Sequence, residues 1–171
     1  MAATIVMASA LATPAQAQKE SKVLEVQEVI ASIVEKDPGT QEWFDTSYGY
    51  VVFPNVGKGG LGIGAAHGNG LVYKGGTLVG KAELKAVTVG LQAGGQSFVQ
   101  VIFFKDKTAF DDFTRGNFEF GAQVSAVALT AGASADLAYN GGVAVMTMTK
   151  GGLMYEASIG GQKFEYEPIG G

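Results

Sequence analysis

The chain has 171 residues, of which 26 are glycine, 4 are proline and none is cysteine; glycine is at about twice its usual share of roughly 7 %, yet no Gly-X-Y period runs through it, so collagen is excluded. With 47 % hydrophobic and 16 % charged residues the chain is not generally disordered, and the missing cysteine excludes disulfides, thiol nucleophiles, zinc–thiolate sites and a lipid-carrying lipobox. One histidine leaves little room for acid–base or metal chemistry, and a net charge of −4 argues against a globally basic nucleic-acid binder.

Residues 1–17, MAATIVMASALATPAQA, carry no charge. An apolar run from Ala3 to Ala12, a breaker at Pro14 and the small-x-small end Ala15-Gln16-Ala17 predict a secretory signal cleaved after Ala17. The run is too short to span a bilayer as a helix. No Lys or Arg precedes it, which fits a signal clipped at its start. Residues 18–171 are then one domain, periplasmic or secreted.

From Ser21 to Lys36, apolar Val23, Val26, Ile30 and Ile33 alternate with Glu25, Gln27, Glu28 and Ser32 at helical spacing. Asp37-Pro38-Gly39 stops this helix. A short second helix over 40–46 would bury Trp43 and Phe44. After Tyr48 the period changes to two. Tyr50 to Phe53 reads as a strand ended by Pro54, and 71–73 and 77–79 read as a hairpin around Lys74-Gly75-Gly76. Further strands are expected over 86–92, 97–104, 118–129, 133–139, 143–149 and 153–159. One helix interrupts them, with Asp106 as its N-cap, Ala109, Phe110 and Phe113 as its buried stripe and Gly116 as its stop. The fold class is therefore α+β and β-rich: an antiparallel sheet in a sandwich- or barrel-like domain, with an N-terminal amphipathic helix and one inserted helix.

Gly57-Lys58-Gly59-Gly60-Leu61-Gly62 fits G-x-G-x-x-G, but the glycines that follow cannot start the helix a pyrophosphate needs. A twisted strand is the better reading. His67 reads as a surface or turn residue, because no nucleophile elbow or orienting partner accompanies it. Asp106, Asp111 and Asp112 fall at helix cap and surface positions, so no metal site is expected.

Charge is unevenly placed. Residues 18–48 sum to −4 and residues 86–171 to −3, whereas 49–85 carry Lys58, Lys74, Lys81 and Lys85 against Glu83 alone. A cationic segment in an acidic protein suits anionic headgroups, where each basic residue is worth roughly 1 kcal/mol. The same lysines also suit hairpin ends, where they protect edges and aid solubility. The N-terminal helix has three Lys and four Glu between Lys19 and Lys36, unlike the usual basic interfacial helix. Packing on the sheet is expected for it instead.

Four blocks, in one order, resemble the SYLF domain: Tyr48-Gly49-Tyr50-Val51-Val52-Phe53-Pro54-Asn55-Val56-Gly57-Lys58-Gly59-Gly60; Gly90-Leu91-Gln92-Ala93-Gly94-Gly95-Gln96-Ser97 with the apolar 101–104; Gly116-Asn117-Phe118-Glu119-Phe120-Gly121-Ala122-Gln123; and Lys150 to Gly161. The resemblance implies a non-enzymatic lipid-binding module. Eukaryotic members bind phosphoinositides and yeast relatives bind actin; bacterial members are exported and described as phospholipid binders. An exported bacterial member would not meet its own cell's actin, so a phospholipid or membrane surface is the expected partner, with no cofactor and no nucleic acid. The candidate headgroup contacts are Lys58, Lys74, Lys81 and Lys85. A small outer-membrane β-barrel and a protein-interaction envelope module are the alternatives.

Overall fold

Alternating apolar residues from Gly49 onward build one eight-stranded sheet. It is seen in a computed structural model that describes residues 13–60, 64–87, 97–116, 118–121, 123–149 and 161–169. The strands are β1 Gly49–Gly60, β2 Gly64–Lys74, β3 Thr77–Val87, β4 Ser97–Phe104, β5 Phe118–Glu119, β6 Ala126–Ala128, β7 Val143–Thr149 and β8 Gln162–Pro168. Their order is β5-β8-β3-β2-β1-β4-β7-β6. All neighbours are antiparallel except β6 and β7, which are parallel. Three helices accompany them: α1 Pro14–Lys36, α2 Thr40–Thr46 and α3 Lys107–Thr114.

Chain connectivity forces this sheet to curl. Laid flat, its seven strand spacings of about 4.8 Å would put the edges about 34 Å apart. Yet edge strand β5 ends at Glu119 and the opposite edge, β6, begins at Ala126. Seven residue steps reach about 25 Å at full extension. The sheet closes into a half-barrel, and Phe118, Phe120, Val124 and Ala126 along this crossing strap pack on its inner core.

Strand alternation gives the sheet two cores. Val51, Phe53, Val72, Leu84, Ile102, Phe104, Val145 and Phe164 face inward and meet Ala109, Phe110 and Phe113 of α3. Tyr50, Val52, Leu71, Tyr73, Val101, Phe103 and Met146 face outward and are covered by α1, α2 and the residues Leu129, Ala133 and Leu137. Val26 and Ile33 on α1 are fully buried against them, and burying each such side chain contributes roughly 1.5–3 kcal/mol. Eight of the ten phenylalanines belong to the inner core, so rings fill the half-barrel, as side chains fill small barrels generally.

The glycine excess lets these rings approach the backbone. A Cβ on Gly70 would lie 2.5 Å from the Val52 carbonyl oxygen and 2.7 Å from the Phe53 ring, and one on Gly80 would strike the Tyr166 ring at 2.4 Å. The obstacle at Gly70 is backbone in the adjacent strand, which cannot rotate away. Gly70→Ala is expected to cost about 1–3 kcal/mol through overpacking. A Cβ on Gly57 meets nothing within 4 Å, so Gly57→Ala has no such steric cost. Urea denaturation of the two variants checks the contrast.

Asp37, the buried C-cap residue of α1, ties the helical layer together. Its Oδ1 accepts from the Gly39 backbone N–H at 3.1 Å and its Oδ2 from the Ser134 N–H at 2.6 Å. The Ser134 N–H is the main cause holding its carboxyl below the usual range; desolvation opposes that shift and the Gly39 N–H adds to it. A pKa lower in the folded than in the unfolded state stabilises the fold above the ordinary carboxylate pKa of about 3.9, and that contribution is lost as pH falls through the folded value. Asp37→Asn is therefore expected to be less stable than the parent at pH 7, with the gap narrowing below about pH 4. Denaturant melts at both pH values measure it; a gap independent of pH would contradict the charge-based account.

Several expected elements are confirmed: α2, β4, β7, the Asp106-capped α3, and the hairpin whose two-residue turn holds Gly75 and Gly76 at φ 58° and 81°. That double positive φ is what a tight hairpin turn requires. Others are corrected. Pro54 does not end its strand: β1 runs on to Gly60, with a register break between Phe53 and Val56, the kind of bulge that accommodates a residue lacking an N–H. The expected strand 118–129 divides into β5 and β6 on opposite edges. The expected strand 133–139 is instead a 3-10 turn, Ala133–Asp136, entered at Gly132 with φ 82°. Its buried positions, Ala133 and Leu137, are four apart rather than two. Helix α1 begins at Pro14 rather than Ser21, because Thr13 and Gln16 form a reciprocal capping box. The expected cleavage point after Ala17 falls within α1, where residues 13–21 are all exposed. Expected strand residues 88–92 and 153–159 lie outside the described residues.

Candidate functional site

The helices α1 and α2, with Leu129, Ala133 and Leu137, cover the outer face over β1, β4, β7 and one end of β2; among the described residues they leave it bare over β8, over β3 from Lys81 and over the start of β2. Sequence alternation makes this bare face polar. In β3, Ala82, Leu84 and Ala86 are buried while Lys81 and Lys85 are exposed and Glu83 half-exposed; in β8, Gln162 and Phe164 are buried while Lys163, Glu165 and Glu167 are exposed. In β2, exposed His67 and Asn69 flank buried Gly68.

Strand register arranges these residues in rows across the sheet. His67 stands opposite Lys85, Lys85 opposite Lys163, and Lys163 opposite Glu119. Two residues along, Asn69 stands opposite Glu83 and Glu83 opposite Glu165; the next row pairs Lys81 with Glu167. A mainly cationic row thus lies beside an anionic one. Glu83 receives a hydrogen bond at 2.8 Å from His67 Nε2–H, since an ionised carboxylate can only accept, and Lys85 Nζ lies 3.5 Å from the same oxygen. The His67 hydrogen bond, with the charge of Lys85 behind it, holds the Glu83 carboxyl below its usual range. Lys163 Nζ is 3.8 Å from Glu119 Oε1.

Of the four lysines singled out by charge counting, the fold brings Lys81 and Lys85 together on this face. Lys74 sits at the far end of the β2–β3 hairpin, seven residue steps along β2 from His67 in the Lys85 row, about 23 Å; its Nζ lies 5.5 Å from the centre of the Tyr48 ring. Lys58 lies in β1 opposite Ala66, with its side chain outside the described residues. Lys163 and His67 join the face instead. Lys163 comes from a segment with net negative charge, so a regional count could not find it, but the period-two pattern of Gln-Lys-Phe-Glu-Tyr-Glu could.

Other sequence candidates have structural roles. Asp106 caps α3 by accepting from the Ala109 N–H at 3.0 Å, Asp111 pairs with Lys107, and Asp112 pairs with Arg115 at 3.2 Å. Of the G-x-G-x-x-G glycines, Gly57 and Gly59 are strand residues of β1 and Gly62 lies outside the described residues; β2 starts at Gly64, so a strand and not a helix stands on each side. Among the described residues no helix is long and apolar enough to cross a membrane.

Residues 85–167 match the sequence model of the Ysc84 family, described as "Las17-binding protein actin regulator". Over this stretch the chain is a Ysc84-family (SYLF) protein. It is also similar to beta cell expansion factor A of Aeromonas veronii, with 35 % identity over 132 residues that make up 75 % of this chain and 49 % of the relative. The chain thus spans about half the length of that curated relative. The matched Ysc84 segment contains Lys85, Lys163 and Glu165 of the bare face, together with the inner-core phenylalanines Phe98, Phe104, Phe110, Phe113 and Phe164.

Proposed function

We propose that this SYLF domain is a non-enzymatic phospholipid-binding module of an exported protein, lying against anionic headgroups with the bare outer face of β2, β3 and β8. The observation that carries this reading is the convergence of Lys81, Lys85 and Lys163 on a part of the outer face that, among the described residues, α1 and α2 leave open. Lys74 and Lys58 are outlying contacts. Each lysine contributes roughly 1 kcal/mol near an anionic surface, an effect that salt screens. A bilayer-spanning barrel would need an apolar band facing lipid; here helices cover one part of the outer face and charged side chains occupy the other. The apolar stripe of α1 is spent on the sheet, which leaves the lysines as the membrane contact.

Co-sedimentation with phosphatidylglycerol vesicles tests this. Binding should exceed that to phosphatidylcholine vesicles and fall steeply between 50 and 500 mM salt, on the order of tenfold or more. Replacing Lys58, Lys74, Lys81 and Lys85 together with Ser should abolish the preference while the melt stays cooperative. Equal, salt-insensitive binding to both vesicle types would overturn the reading. The Ysc84 description supports a second one, a protein-binding module; co-sedimentation with purified actin filaments, with no vesicle binding, would establish that instead.

A further inference from the structure

The bare face is striped rather than uniformly cationic, and the stripes specify more than an anion. Lys85 stands directly opposite Lys163 and Glu83 directly opposite Glu165. Like charges at directly opposed strand positions destabilise a sheet, and opposite charges there stabilise it. Exchanging the two charges within β8 alone would turn both contacts from repulsive to attractive, with only the exposed Lys163–Glu119 pair lost in return. The arrangement present forgoes that gain. Glu83 is partly compensated by His67 and Lys85, whereas Glu165 has no ion-pair partner among the described residues.

We infer that the stripes recognise a zwitterionic phosphoethanolamine group. Lys85 and Lys163 bind the phosphate oxygens, with His67 beside them at the row's end; Glu165, helped by Glu83, binds the primary ammonium. The two rows are two residues apart, about 6.8 Å along the strands, and the two lysines are one strand spacing of about 4.8 Å apart. Flexible lysine and glutamate side chains can close on the short ethanolamine link across that gap. A primary ammonium donates charge-assisted hydrogen bonds to a carboxylate. A quaternary choline cannot, and it is usually held against aromatic faces; among the described residues, the outward positions of this face include no Phe, Tyr or Trp. The inference rests on the proposed membrane reading and adds the headgroup.

His67 is the only histidine in the chain, so its imidazole C–H proton resonances report on this row alone. Titration with O-phosphoethanolamine at fixed pH should shift them saturably, with inorganic phosphate weaker and ethanolamine without effect. Adding phosphatidylethanolamine to phosphatidylglycerol vesicles should strengthen binding roughly three- to tenfold over the same fraction of phosphatidylcholine, the factor that one or two exposed ion pairs supply. The paired substitution Lys163→Glu with Glu165→Lys keeps composition and net charge and should leave the protein folded with a cooperative melt, since two gained cross-strand pairs offset the lost Lys163–Glu119 pair, yet it should remove both effects. If phosphatidylglycerol vesicles bind but phosphoethanolamine moves no His67 signal and phosphatidylethanolamine adds nothing, the headgroup inference fails while the membrane reading stands. If soluble phosphoethanolamine binds but no vesicle does, the stripes recognise the group in a soluble compound and the membrane reading fails. An unchanged response in the charge-exchanged protein would also overturn the inference.

Discussion

Replacing Phe113 with Ala is expected to destabilise the domain by about 3–5 kcal/mol, the usual range for emptying a ring-sized site in a core. Phe113 is fully buried where α3 meets the inner face of the half-barrel. Its ring centre lies 5.0 Å from that of Phe104 on β4, 5.4 Å from Phe118 on β5 and 5.5 Å from Phe164 on β8. Those strands lie on both sides of the curled sheet, so the cavity would open where the two halves meet and no single element could move in to fill it. For a chain of this length the loss lowers Tm by about 6–20 °C, at 2–4 °C per kcal/mol. Ala109 sits on the same helix in the same core, but Ala109→Gly removes only a methyl group; it should lose about 1 kcal/mol through helix propensity. Calorimetry of both variants checks the ranking. A Phe113→Ala loss no larger than that of Ala109→Gly would mean that the α3 contact does not hold the barrel together.

Where local pattern and tertiary role coincide, the sequence already shows the fold. Ser97 to Phe104 and Val143 to Thr149 alternate between two covered faces, and Gly75-Gly76 supplies the positive φ values its hairpin needs. The segment 118–129 was less legible because Phe118, Glu119 and Phe120 alternate like a strand, although the chain leaves one sheet edge there to cross to the other. Only closure of the half-barrel decides that, and closure depends on contacts far apart in sequence. The start of α1 was obscured for another reason: Thr13, Pro14 and Gln16 also fit the end of an export signal. On the bare face, the segment count grouped Lys58, Lys74, Lys81 and Lys85 because they are near in sequence. Register groups Lys85 with Lys163 instead, 78 positions later. A regional charge sum is blind to strand neighbours, and it also hid the carboxylates that stripe the face.

Inside the half-barrel, Gln100 of β4 and Gln162 of β8 form a reciprocal pair. Each amide Nε2 donates to the other's Oε1, at 2.8 and 2.9 Å, and both residues are buried. Strands β1, β2 and β3 separate β4 from β8 in the sheet, so this contact spans the interior rather than a strand pair and works as a polar clasp on the curl. Gln100→Leu keeps much of the side-chain volume but leaves a buried amide in β8 with neither partner. It should cost about 2–4 kcal/mol, since an orphaned donor or acceptor loses its full hydration. Gln162→Leu should cost the same. The double substitution removes donor and acceptor from both sides and should be close to neutral, because two apolar groups of similar shape replace a satisfied pair. Guanidinium denaturation of the four proteins gives the coupling energy directly. A coupling of several kcal/mol, with the double variant more stable than either single, is the expected outcome, whereas simple additivity would mean that the amides do not join the two sides. The sign of the double variant's stability also separates two roles for the clasp. If the double variant is as stable as the parent but its melt broadens, the pair serves to select one register of the closed sheet rather than to add stability, as buried polar contacts do in some other folds.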